Sequence, residues 1–106
     1  WHRDTMALAS RIGVVIALGT DAGSPGLGEQ PSVFEEMETM IEYGMDTWDV
    51  IAAATKNAAA ALGIAKDIGS IEEGKKADML IVRDNPLEDI RALRSLEQVV
   101  KGGIML

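Results

Sequence analysis

The sequence predicts an α/β chain: helices flank a buried strand up to about residue 62, and a small β-structure fills residues 63–106. Two observations carry this prediction. "VVIAL", residues 14–18, is continuously apolar and rich in β-branched side chains, the pattern of a strand covered on both faces by helices, as in a parallel sheet. After Gly63 the pattern changes to short apolar runs, "MLIV" and "EQVVKGGIML", set apart by glycines and by the turn signal Asp84-Asn85-Pro86, which reads as strands and hairpins.

Each element has its own local reason. Helical spacing of apolar residues in "DTMALASRIG" predicts a helix from about Asp4 to Ile12, with Gly13 as its stop. Ser32 followed by Glu35 matches a capping box. Phe34, Met37, Met40 and Ile41 then form one apolar stripe that ends at Gly44. A further helix starts near Thr47 with Trp48, Ile51 and Ala52 on one face; Lys56 and Asn57 interrupt it before "AAAALG" ends at Gly63. Later, "MLIV" reads as a strand, and Gly102-Gly103 as the turn of a hairpin between Val99-Val100 and Ile104-Met105-Leu106.

Composition bounds the function. With 47% hydrophobic and 25% charged residues the chain is expected to fold. Its aromatic residues are Trp1, Phe34, Tyr43 and Trp48, so the core must come from Ala, Ile, Leu, Val and the six Met. A net charge of −7, with no Lys or Arg cluster, opposes binding to nucleic acid. The absence of cysteine excludes disulfides and thiolate metal sites and fits a cytoplasmic protein. No apolar run is long enough to span a membrane, and no signal-peptide layout is visible.

One parallel strand cannot pair with itself, and the backbone groups of "VVIAL" need neighbours. Either the chain is a piece of something longer, as its start on Trp1 also suggests, or other copies supply the missing edges.

Asp21 is the leading candidate for chemistry. It follows the buried strand directly, and ligand sites in α/β folds gather at the carboxyl ends of parallel strands. A carboxylate there can bind a metal, carry a proton, or both. The plainer alternative is a loop Asp that turns the backbone beside glycine. The glycine-rich loop "GTDAGSPGLG" also invites a phosphate-binding reading. It lacks both the Gly-Lys-Ser/Thr ending and the third glycine of a dinucleotide fingerprint, and its acids would repel phosphate. His2 is a lone histidine, which reads as solvated surface. Glu35, Glu36, Glu38 and Glu42 read as the polar side of their helix, and no nucleophile has a base beside it.

Three ordered motifs, "GVVIALGTDAG", "AAATKNAAAALGI" and "IGSIEEGKKADMLIVRDNPLEDIRAL" with "VVKGG" beyond it, make the chain resemble the C-terminal part of a metal-dependent amidohydrolase. It is most similar to the imidazolonepropionase-like and Xaa-Pro dipeptidase-like branch. The resemblance implies a (β/α)8 TIM barrel with one or two divalent metals, zinc being the expected one, and a small β-sandwich formed from segments before and after the barrel. "VVIAL" would be the eighth barrel strand. Asp21 would be the aspartate that contacts the metal and moves the proton from water to the leaving amine. Gly69, Gly74, Lys75, Ala77 and Asp78 would be structural, with Asp78 anchoring backbone N–H groups at the start of its strand.

The same resemblance marks what is missing. The family's His-x-His, its bridging Lys or acid and its two later histidines are absent, and where dipeptidase-like relatives often carry a His the loop reads "SPGLGEQP". The expectation is a parent enzyme that hydrolyses amide-type C–N bonds in a dipeptide, cyclic amide or other small molecule. This chain alone is expected to bind no metal and to be inactive, and to associate with copies of itself or with the missing part of the barrel. The alternative of another class is a non-catalytic oligomeric assembly module, with a phosphate-binding βα unit third.

Overall fold

The computed structural model describes residues 2–23 and 32–106. Trp1 and the greater part of the glycine-rich loop, residues 24–31, lie outside the described residues. The helices are α1 (His2–Arg11), α2 (Val33–Glu42), α3 (Thr47–Ala54) and α4 (Lys56–Ala61). They are followed by β1 (Met79–Val82), a 3-10 helix (Ile90–Arg94), β2 (Leu96–Lys101) and β3 (Ile104–Met105).

The expected helix stops are real. At Gly13, Gly44 and Gly63, all at positive φ, the next residue's N–H closes back on the helix, Val14 to Ala9 O at 2.9 Å, Met45 to Met40 O at 3.1 Å and Ile64 to Ala59 O at 2.9 Å. That is the left-handed glycine cap in which orphan carbonyls are satisfied. The predicted capping box is also present: Ser32 Oγ accepts from Glu35 N at 3.2 Å, and Glu35 Oε2 accepts from Ser32 N at 2.6 Å.

Two expectations need correction. The stretch 14–18 belongs to no ladder among the described residues. It has no parallel neighbour among the described residues, and Val14 and Val15 stand 51% and 75% exposed. At Leu18 the backbone partner is instead a carbonyl at the end of α3, with Leu18 N donating to Ala53 O at 3.0 Å. On α3, the buried residues are Val50, Ala52 and Ala53, whereas Trp48 is exposed. Its sequence "TWDVIAAA" is apolar on nearly every side, so contact with α2 selects the buried face.

The core joins α2, α3 and the 3-10 helix. Met37, Met40, Met45, Val50, Ala53 and Ile90 form its buried cluster, with Met6, Ile16, Leu18, Ile41, Ile51 and Leu93 packed around it. Methionine, unbranched and adaptable, fills the space between these irregularly crossing elements.

The sheet is three-stranded in the order β1-β2-β3. β1 and β2 are antiparallel with Met79 opposite Val100 and a register irregularity between Ile81 and Val82. β2 and β3 form the expected hairpin, Lys101 opposite Ile104, around Gly102-Gly103. Among the described residues, no helix is long and apolar enough to cross a membrane.

Candidate active site

The site is organised by a break in a helix. The interruption expected at Lys56 and Asn57 falls one residue earlier: Thr55 adopts φ −123°, ψ −93° and separates α3 from α4. A helix end leaves carbonyls without intrahelical partners, and two near the break meet donors from outside the regular ladder. Thr55 Oγ donates to Ile51 O at 2.6 Å. Ala53 O accepts from Leu18 N. Beyond the break, Asn57 Nδ2 donates to Ile16 O at 2.9 Å, a partly buried contact across 41 residues of sequence. The first motif is thereby fastened to the second at alternate residues, Ile16 and Leu18, whose side chains pack on the core.

Asp21 emerges at the carboxyl end of this fastened segment. Its φ is 53°, and it is the non-glycine residue at positive φ among the described residues. Aspartate tolerates this region better than most residues, yet the conformation still costs of order 1 kcal/mol or more unless its surroundings impose it. Next to it, Thr20 Oγ accepts from Ala22 N at 3.2 Å, tightening the turn. The Asp21 side chain is exposed.

One carboxylate is a donor and not a metal site. Among the described residues no group of three or more His, Cys, Asp or Glu could hold a metal ion. His2 lies exposed at the start of α1, away from any such cluster. The divalent metal that the resemblance implies therefore does not fit the residues described, which bring no three ligands together. What the Asp21 carboxylate can do by itself is act as a proton carrier at the exposed end of this extended segment. A cleft of about 210 Å³, lined by Ser10, Val14, Ile16, Asp49, Lys56 and Asn57, lies at the opposite, amino end of the segment, and Asp21 takes no part in it.

The third motif packs on the second. Gly69 lies against the break, where a Cβ would come within 3.2 Å of both Lys56 Cα and Thr55 O. Lys75 Nζ donates to Ser70 Oγ at 2.6 Å and lies 3.4 Å from Glu72 Oε2. The Ser70 hydroxyl and then Lys75 hold the Glu72 carboxyl below its usual range. Ala77 O accepts from Gly103 N at 2.9 Å. Asp78 Oδ1 accepts from Gly102 N at 2.8 Å while Oδ2 pairs with Lys101 Nζ, and these contacts, Lys101 first, lower the Asp78 pKa. Asp78 does anchor a backbone N–H, as expected, but that of the distant hairpin turn rather than one beside it in sequence.

Sequence reasoning singled out Asp21 as a candidate and the third motif as structural, and it missed the hydrogen bonds of Thr55 and Asn57. The available signal was a polar Thr-Lys-Asn step inside an alanine-rich helix, since Thr and Asn compete for backbone hydrogen bonds and favour helix ends.

Comparison with known proteins covers nearly the whole chain. Residues 2–105 match the profile of the amidohydrolase family. Ochratoxinase from Aspergillus niger is 36% identical over 99 residues, spanning 90% of this chain and 20% of its own length. Imidazolonepropionase from Shouchella clausii is 42% identical over 96 residues, 86% of this chain and 21% of the relative. Among solved structures, a Xaa-Pro dipeptidase with methionine bound in its active site superposes with a TM-score of 0.84 at 39% identity, covering 98% of this chain and 25% of the dipeptidase. The chain thus spans about a fifth of the length of the curated relatives it matches. On the strength of that profile match over residues 2–105, the chain belongs to the amidohydrolase family.

Proposed function

We propose that these residues are the carboxyl-terminal part of a metal-dependent hydrolase of amide-type C–N bonds, with residues 1–62 closing a TIM barrel and residues 63–106 contributing to a β-sandwich. Asp21 is its proton carrier. The carrying observation is the placement of Asp21 at positive φ, at the end of a segment gripped by α3 and α4. A strained residue at a strand end is a recurrent mark of an active site. In this reading Asp21 takes a proton from the attacking water as oxygen adds to the scissile carbonyl, then delivers it to the departing amine nitrogen, the two halves of general acid–base catalysis. The match to a Xaa-Pro dipeptidase and to imidazolonepropionase supports a dipeptide or cyclic amide as substrate.

The metal, zinc in our reading, takes its remaining ligands from residues outside this chain, with Asp21 contributing one oxygen. The chain alone is then inactive and pairs with the rest of the barrel through the edge that Val14 and Val15 expose. The test has two parts. In the complete enzyme, Asp21→Asn lowers turnover by about 100-fold or more while the fold persists; retained activity would sink the assignment. In the isolated chain, elemental mass spectrometry finds almost no metal.

A second reading draws on the exposed apolar segment itself: a non-catalytic module in which copies pair their open edges. A discrete oligomer in light scattering would favour it, whereas a monomer with poor thermal cooperativity would favour the inactive fragment.

A further inference from the structure

The grip on residues 16–18 does more than close a core. Ile16 and Leu18 are alternate residues of one extended stretch, and alternate residues turn their backbone groups toward the same neighbour. Here that neighbour is the α3–α4 break. Ala53 O takes the N–H of Leu18, and the Asn57 amide meets the carbonyl of Ile16. A carbonyl can be met only by the NH2 half of the amide, so the orientation of Asn57 is fixed. From Leu18 only Gly19 and Thr20 intervene before Asp21, and the Thr20 side chain already closes the turn at Ala22. Among the described residues, the segment just before Asp21 is therefore held to α3 and α4 by those two hydrogen bonds, beside the packing of the Ile16 and Leu18 side chains on the core.

We infer that Asn57 is a positioning residue for Asp21: together with the Ala53 carbonyl at the Thr55 break, it sets where the carboxylate stands. The inference rests on reading Asp21 as the proton carrier, and it assigns Asn57 no contact with substrate. A merely structural Asn57 would change how much protein is folded. A positioning Asn57 changes what each folded molecule does.

The test compares wild type with Asn57→Ala, and with Asn57→Ser, which keeps a short donor. In the 106-residue chain, amide exchange by NMR should show Leu18 protected relative to Val15. Asn57→Ala should speed Leu18 exchange about tenfold, the scale of one lost hydrogen bond, and move the Asp21 side-chain carboxylate resonance, while Val50 and Ala53 stay protected. In the complete hydrolase, assayed with alanyl-proline, kcat per folded molecule should fall about 10- to 100-fold, the scale of a misplaced catalytic group, with KM little changed. Asn57→Ser should lie between and carries the test if Asn57→Ala does not fold. An Asp21 resonance and a kcat that hold still while Leu18 loses protection would overturn the inference. If Asp21→Asn itself keeps full turnover, the functional reading fails, and the movement of the Asp21 resonance still decides whether Asn57 positions it.

Discussion

A Cβ placed on Gly69 would lie 2.6 Å from the Cβ of Ala59, so the turn that follows α4 sits directly on that helix. Gly69 also holds φ at 96°, a region that side chains rarely enter. Steric overlap and backbone strain each cost about 1–3 kcal/mol. Gly69→Ala should therefore destabilise the chain by about 2–6 kcal/mol, read as a lower urea midpoint at unchanged slope. Gly74→Ala, at similar φ but with open space around it, should lose only the strain part.

Asp78 makes stability depend on acid. Lys101 and the Gly102 N–H hold its carboxyl below the usual range, so the folded chain takes up this proton less readily than the unfolded one. The stabilisation is complete above the ordinary carboxylate pKa of about 4 and is lost as pH falls through the lower folded value. Asp78→Asn should flatten that acid-side loss in urea titrations at successive pH values, while its amide oxygen still meets Gly102.

Removing the helix cap tests α2 on its own. Ser32→Ala deletes the oxygen that receives Glu35 N and should cost about 1 kcal/mol, the usual worth of such a cap. Ser32→Asp should recover most of that loss in thermal unfolding followed by circular dichroism.

Arg94 should matter less than its contacts suggest. Its Nε lies 2.9 Å from Glu38 Oε1 and its guanidinium 5.6 Å from the centre of the Phe34 ring, but its side chain is 47% exposed. Exposed ion pairs contribute about 0–1 kcal/mol and weaken in salt. Arg94→Ala should therefore lower stability by no more than about 1 kcal/mol, with the Glu38 share vanishing in high salt.

Features written into neighbouring residues were legible in the sequence. The capping box at Ser32 and Glu35, the glycine stops at Gly13, Gly44 and Gly63, the strand at Met79–Val82 and the Gly102-Gly103 hairpin all depend on residues close in sequence, and all are present. Features that depend on distant partners were not. The stretch 14–18 has strand composition but forms no ladder among the described residues, because a ladder needs a second strand. The buried face of α3 is chosen by α2, not by its own nearly uniform apolar surface. The 3-10 helix at Ile90–Arg94 went unforeseen because its start depends on a two-residue Asp89 cap, whose side chain accepts from Arg91 N. Asp21 was singled out as a candidate by its position after an apolar run, whereas the hydrogen bonds that hold the run reach it from Ala53 and Asn57, far along the chain.

The break at Thr55 sets a trap for protein engineering. Any scheme that scores helices by intrinsic propensity would replace Thr55 with alanine and fuse α3 and α4 into one straight rod. Such a rod would turn the Ala53 carbonyl back toward its own downstream amide, and Leu18 would lose its acceptor. The redesigned helix would be better as a helix, and the loop that carries Asp21 would come loose.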